Sequence, residues 1–599
     1  MALVVQKYGG TSVGTVERIK AVAQRIQKTV QQGNGVVVVV SAMGKSTDTL
    51  VDLAQQITAN PSRREMDMLL STGEQVSISL LSMALQELGQ PAISLTGAQV
   101  GIVTEAEYSK ARILQIKTNR LTKHLDQGEV VVVAGFQGIS SQTELEITTL
   151  GRGGSDTSAV ALAASLGASR CEIYTDVPGI LTTDPRIVPE AQMMSEITAD
   201  EMLELASLGA SVLHPRAVEI ARNFGMPLVV LSSWSDAPGT RVTSPEPKPR
   251  SLEGLELAKA VDGVEIDTNQ AKVALTKIPD CPGVAAQLFS EISAQGIDVD
   301  LIIQSIHESN TNDIVFTVTN EQLAKAQQVA HAIAPKLGNT DSSEAEVLVD
   351  GNIAKVAISG AGIIGRPGIA AKMFQTLSDA GINIQMISTS EVKVSCIIER
   401  NECDRASQLL CETFEIDSSS LPTKIETNAE NPAVRSVALD RGKARVAILQ
   451  VPDLPGKAAR IFSILAEHSI SVDTIIQSQR SKVINGTHTR DIAFTVAQED
   501  AEIAKTALDA VKAEIGYQEI VIDSAIAKAS VVGSGMQGTP GVAAKLFAAL
   551  ADKQINIHTI STSEIKISCV VTEADGVEAL KTAHEAFELG GEATVTVGG

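Results

Sequence analysis

No run of apolar residues in this chain is long enough to cross a membrane. The longest purely apolar stretches, such as Val36 to Val40, fall far short of the roughly 20 residues a span requires. Basic residues are in deficit, 49 Lys and Arg against 71 Asp and Glu, so the formal charge is −22. That balance excludes the basic face a nucleic-acid partner needs. Cysteine is sparse and unpatterned: the six (Cys171, Cys281, Cys396, Cys403, Cys411, Cys569) include no CxxC pair. They form neither a disulfide framework nor a metal site, and imply a reducing, cytoplasmic compartment. The opening MALVVQKYGG runs straight into a strand-like pattern and shows no cleavable signal. Aromatics make up only 3%, while the apolar total of 44% is ordinary for a globular protein. A chain of 599 residues exceeds one core and implies about three to five domains.

Residues 1–245 alternate short apolar runs with longer helical patterns. GVVVVVSAMG (35–44), EVVVVAGFQG (129–138) and MPLVVLSSW (226–234) read as strands buried on both faces. Helical spacing covers 64–88, 108–127, 155–167 and 199–224. This alternation predicts a largely parallel sheet covered by helices. A stretch rich in proline and charge, SPEPKPRSLEG (244–254), opens a linker over 246–269.

Beyond it the chain repeats itself. DCPG (280–283) recurs as DLPG (453–456), DLIIQS (300–305) as DTIIQS (473–478), and NIQMISTSEVKVSC (383–396) as NIHTISTSEIKISC (556–569). All three pairs are offset by 173 residues, the mark of a tandem duplication. Each copy holds two smaller units of βαββαβ, ferredoxin-like plan. The four fall at 270–345, 352–418, 443–520 and 526–597, with a second linker at 419–442.

Two motifs are false leads. GAGIIG (360–365) and its repeat GSGMQG (533–538) fit the dinucleotide fingerprint, but a proline follows at once and the unit is too short. GKST (44–47) resembles the end of a phosphate loop, yet the required earlier glycine is Val39.

The segment TTLGRGGSDTSAVALAASLGA (148–168) carries more. Its glycines let backbone N–H groups approach a ligand, and the helix that follows, with Ser155 or Asp156 as its cap, suits an anion. Arg152 sits inside the loop, able to grip a carboxylate or a phosphate. Taken alone, the pattern fits a tight turn as well as a site. KYGGTSVG (7–14) places Lys7 at a strand's carboxyl end, where open α/β sheets bind ligands. SAMGKSTDTL (41–50) offers hydroxyls, and TDVPGILTTDPRIV (175–188) is a loop able to cover a nucleotide.

KYGGTSV, SAMGKSTD, STGEQVS (71–77), TTLGRGGSDTSA, TDVPGILTTDPR and GASVLHPRA (209–217) together resemble the signature set of aspartokinases, over residues 2–240. The duplicated half resembles ACT regulatory units, four here where most relatives carry two. The resemblance implies an α/β amino-acid kinase fold, a mainly parallel sheet between helices, followed by four ACT units. It implies phosphorylation of the L-aspartate side-chain carboxylate by MgATP, the first step toward lysine, threonine and methionine.

In that reading Lys7 and Asp156 are catalytic, Asp156 orienting either the substrate ammonium or Lys7. Ser41, Thr47, Glu74, Arg152, Gly153, Gly154 and Ser155 bind aspartate, with Arg152 on its free carboxylate and Glu74 on its ammonium. Lys7, Tyr8, Gly9, Gly10, Thr175, Asp176, Thr182, Asp184 and Arg186 surround ATP. Mg²⁺ arrives with the nucleotide, and no protein metal site is expected. His214 is structural. Phosphoryl transfer onto a group already ionised near pH 7 needs positioning and charge stabilisation more than a base.

In the regulatory half the resemblance implies effector sites at Asp280, Asp298, Gln304 and Asn383, and at Asp453, Gln477 and Asn556. Lysine, threonine or both together would act there as feedback inhibitors. Joined sheet edges imply a homodimer at least. Two other readings remain: an amino-acid sensor with a degenerate kinase region, and a kinase for glutamate, N-acetylglutamate or a nucleotide. Intact Lys7, Glu74, Arg152 and Asp156 speak against the first, and the GRGGSD and STGEQVS contexts against the second. Length and the failed dinucleotide motif exclude a fused homoserine dehydrogenase.

Overall fold

The computed structural model describes residues 2–141, 144–209, 212–246, 250–257, 259–307, 311–337, 345–363, 366–420, 432–478, 482–484 and 486–591. Part of GAGIIG, residues 421–431 of the 419–442 segment and the end of the fourth unit lie outside them. The first half is built on an eight-stranded sheet in the order Glu196–Thr198, Thr240–Thr243, Leu228–Ser232, Arg170–Thr175, Leu3–Tyr8, Gly35–Val40, Val130–Ala134, Ala92–Leu95. Every neighbouring pair is parallel except Leu228–Ser232 with Thr240–Thr243. Val36 to Val40 and Val130 to Val133 are buried on both faces, which is why they read as unbroken apolar runs. Helix Gly154–Leu166 is buried throughout its first ten residues, and its small side chains let it lie within the core. Helix Arg63–Glu87 is long and apolar enough to cross a membrane, yet its buried face carries Asp67, Ser71 and Glu74.

Two local readings are corrected. The 108–127 stretch, read as helical, holds a strand, Ile113–Ile116, and only a short helix, Asn119–Asp126. The strand buries Ile113 and Ile116 in a separate four-stranded sheet, over which spacing alone had no say. The 199–224 stretch is two helices, Ala199–Ser207 and Pro215–Phe224; Pro215, which has no N–H to donate, opens the second.

Both linkers shelter strands. Gly263–Pro279 begins inside the first, and Ser436–Asp440 inside the second. Gly263–Pro279 runs antiparallel to Glu346–Ser359 along its whole length: residues 263–267 pair with 355–359, and 272–276 with 346–350. The opening third therefore completes the sheet of unit 2, and the remainder belongs to unit 1. In the same way Ser436–Asp440 pairs with Ile526–Val532 of unit 4. Unit 1 is thus inserted into unit 2, and unit 3 into unit 4. The closing strand each outer unit lacks at its end comes from upstream, where it covers an otherwise bare edge.

Unit 1 pairs with unit 4. Ile303 and Gln304 lie antiparallel to Ser561 and Ile560, so one ten-stranded sheet runs through units 2, 1 and 4. Across that junction Phe289 and Phe547 meet edge to face, with ring centroids 5.4 Å apart. Units 2 and 3 sit side by side in the same manner, Phe374 packing against Phe462 at 5.4 Å. The Thr389 hydroxyl donates to the Asp473 carbonyl at 2.7 Å. The edge joining expected between subunits is therefore made within one chain.

Candidate active site

The carboxyl ends of Leu3–Tyr8, Gly35–Val40 and Arg170–Thr175 open onto one crevice. Gly44 N–H donates to the Gly10 carbonyl at 3.0 Å and Ser41 N–H to the Tyr8 carbonyl at 3.1 Å, tying the first two loops together. Lys7 reaches across, its Nζ 2.6 Å from Asp156 Oδ1. Asp156 lies in the first turn of Gly154–Leu166, and the residue before that helix is Gly153, in left-handed conformation at φ +67°. Glycine, not Ser155 or Asp156, is the cap: Asp156 is engaged by Lys7, and a Cβ at Gly153 would overlap the His214 ring. The first-turn amides at Ser155 and Asp156 stay available to an outside acceptor.

Glu74 is the electrostatic oddity. It is 3% exposed; its Oε1 accepts the Ala42 N–H at 3.0 Å, while its Oε2 has no hydrogen-bond partner among the described residues. Burial pushes its carboxyl up to about 7, against the pull of the backbone N–H donors. Arg152 stands on the loop ahead of Gly153, exposed and with no ion-pair partner among the described residues. Thr47 lies in the first turn of helix Ser46–Ile57, partly exposed like Ser41.

The expected nucleotide residues divide. Gly9 follows Tyr8, whose strand pairs with that leading to Thr175 and Asp176, and the Thr175 hydroxyl donates to Asp176 at 3.1 Å. Asp184 and Arg186 form their own pair at 2.7 Å, which holds the Asp184 carboxyl below the usual range. Two expectations are corrected. The Tyr8 ring is fully buried and stacked on Tyr174 with centroids 4.6 Å apart, so only its backbone faces the crevice. Thr182 is turned to unit 4, its hydroxyl 3.0 Å from His584 Nε2 and 3.2 Å from the Leu589 carbonyl. His214 caps helix Pro215–Phe224, accepting the Arg216 N–H at 3.4 Å, and burial lowers its pKa.

In the regulatory half the effector residues sort by pair. Asp280 accepts from Asn556 at 2.9 Å and from Asn312 at 3.1 Å, and Gln304 donates to the Ile557 carbonyl at 2.7 Å. Asn383, Asp453 and Gln477 line the equivalent pocket between units 2 and 3. There Arg490, which the sequence reading missed, stands 2.8 Å from Asp453. No motif marks it, because it lies on a strand remote from the DLPG turn. Asp298 is not with Asp280: it lines a separate cavity of about 570 Å³ with Asp267, Asp300, Lys355 and Glu564.

Residues 2–232 match the amino acid kinase family, and 276–333, 356–414, 445–516 and 530–587 match ACT domains. An aspartate kinase of Stutzerimonas stutzeri is 49% identical over 418 residues, 70% of this chain and 98% of that protein. The chain belongs to the aspartokinase family. An aspartokinase of Geobacillus stearothermophilus matches at 49% identity over 414 residues, 69% of this chain and 97% of its own. The crystal structure of an aspartate kinase from Synechocystis superposes over all of both chains, with 64% identity and a TM-score of 0.86. The chain is thereby an aspartate kinase, a phosphotransferase that uses a nucleotide, with ACT units after its kinase region.

Proposed function

We propose that the crevice transfers the γ-phosphoryl group of MgATP to the side-chain carboxylate of L-aspartate. A carboxylate oxygen attacks phosphorus, the bond to the β-phosphate oxygen breaks, and 4-phospho-L-aspartate and ADP leave. The reading is carried by Glu74, a buried carboxylate with one oxygen pinned by Ala42 and the other without a hydrogen-bond partner among the described residues. Such a group calls for a cation, and the ammonium of an amino acid supplies it. Arg152 grips the carboxylate that does not react, as a fork of parallel N–H donors suits. Ser41, Thr47, Gly153, Gly154 and Ser155 complete the aspartate side.

Lys7, oriented by Asp156, stabilises charge on the group in transfer, helped by the amides of Gly9 and Gly10. Thr175, Asp176, Asp184 and Arg186 flank the nucleotide. Mg²⁺ neutralises the phosphates with which it arrives.

The product feeds lysine, threonine and methionine synthesis in the cytoplasm, and lysine, threonine or both inhibit through the ACT units. The Asp298 cavity, lined by four carboxylates against Lys355, suits a cationic amino acid. The Asp280 and Asp453 pockets take an amino acid's ammonium beside a helix N-terminus. The working form is at least a homodimer, through surfaces other than the ACT edges already joined.

The test is aspartate- and ATP-dependent hydroxamate formation, with and without lysine and threonine. Arg152→Ala should raise the KM for aspartate about 10- to 100-fold, the loss of one charge-assisted pair, and leave that for ATP within about two-fold. Equal effects on both would move Arg152 to the phosphates, and no aspartate-dependent turnover would overturn the reading.

A further inference from the structure

Asp67 is fully buried and faces no cation among the described residues. Its carboxylate receives the Ser109 N–H at 2.9 Å, the Thr149 N–H at 2.8 Å and the Thr149 hydroxyl at 2.8 Å. One oxygen takes both backbone N–H groups and the other takes the hydroxyl. Removing the carboxylate strands two buried N–H donors, whereas an amide could still accept both and turn its NH₂ to the hydroxyl.

The two segments it ties bear on one loop. Thr149 ends strand Ile147–Thr149, which leads into Leu150, Gly151 and Arg152. Ser109, held at φ +72°, packs its carbonyl against Gly151, where a Cβ would come within 2.9 Å of it. Asp67 shares helix Arg63–Glu87 with Glu74, seven residues on and on the same face, about 10 Å along the axis. Midway between them the Ser71 carbonyl accepts from Gln137 at 2.8 Å. One rigid helix thus holds Glu74 at one point and suspends the Arg152 loop from another.

We infer that Asp67 is a positioning residue for the reaction: it sets the Arg152 loop at the distance from Glu74 that the two ends of bound aspartate require. The inference rests on the reading of Arg152 as the aspartate clamp. Asp67 touches no substrate and acts through the loop, so its loss should move aspartate kinetics and spare ATP.

The experiment is steady-state kinetics on full-length Asp67→Ala, Arg152→Ala and the double variant. Asp67→Ala should raise the KM for aspartate about ten-fold with that for ATP within about two-fold. In the Arg152→Ala background it should add less than two-fold, because the loop then carries no clamp to misplace. An equal rise in both KM values, or a full ten-fold effect retained without Arg152, would overturn the inference while leaving the clamp reading intact. An unchanged aspartate KM in Arg152→Ala alone would overturn both. Should Asp67→Ala fail to fold, Thr149→Val removes one donor and keeps the shape. It should raise the aspartate KM about three-fold, with the same dependence on Arg152, and no rise would overturn the inference.

Discussion

Where units 1 and 4 meet, a cavity of about 570 Å³ is lined by Phe289, Ser293, Asp298, Ile302, Thr539 and Glu564 among others. Where units 2 and 3 meet, the same place in the duplicate encloses only about 40 Å³. Phe462 and Ile475 keep their roles, but Ser293 is matched by Ala466, Asp298 by Ser471 and Thr539 by Arg366. Two charged residues around the closed side, Arg366 and Lys566, are turned to the kinase region. Arg366 pairs with Glu219 at 2.7 Å. Lys566 stands 2.7 Å from Glu204, a fully buried carboxylate on kinase helix Ala199–Ser207.

The counterpart of Lys566 is Lys393, which pairs at 2.9 Å with Glu265 of its own sheet and at 2.7 Å with Glu564. The position matching Glu265 is Ala438, so the kinase region supplies the carboxylate the second copy lost. One charge set, duplicated, lines a ligand-sized space on one side and docks the catalytic region on the other.

The largest test of that contrast is a matched pair of lysine substitutions. Lys566→Met strands Glu204 without its cation and should cost about 3–5 kcal/mol in urea unfolding. Lys393→Met, at a partly solvated site, should cost less than half as much. Equal losses would mean that the two sides are held alike.

A second test concerns binding. Asp298→Ala should weaken lysine about ten-fold by calorimetry, the worth of roughly 1.4 kcal/mol, and Ser471→Ala should change nothing. A comparable loss from Ser471→Ala would show that the closed side still takes ligand.

The smallest effect is in pH. Burial, with the nearby Glu204 charge, pushes the Glu391 carboxyl up to about 7. Its folded value lies above the unfolded one of about 4.3, so the folded chain holds the extra proton between them and this contribution is lost as pH rises through 7. Relative to Glu391→Gln, the native chain should lose a degree or so of Tm between about pH 6 and 8. Parallel curves would place the Glu391 charge in solvent. Asp473, the counterpart of Asp300, behaves oppositely. Burial raises it, but Lys528, Lys566 and Lys443 outweigh that and hold it below the usual carboxylate range.

The family was legible because its signature sits in short contiguous motifs. Lys7 and its glycines end a strand, GRGGSD leads into a helix and STGEQVS lies within one, so neighbours along the chain stay neighbours in space. The duplication was legible as a fixed offset. Even the false dinucleotide motif had a local tell in the proline after it. Only the fold shows why its glycines stand there: Gly360 and Gly533 lie against the carbonyls of Ala260 and Ala433, where no Cβ fits.

Sequence alone thus determined the order of regions and the repeat, since periodicity and glycine act over a few residues, while its motifs led to the chemistry through the family they resemble. Tertiary structure decided which strands complete which unit and which units pair. It drew Thr182 to His584, 402 residues away, turned the Tyr8 ring into the core, and separated Asp298 from Asp280. These follow from edge pairing, burial and ion pairing between distant segments, where the gain depends on a partner that local pattern does not name.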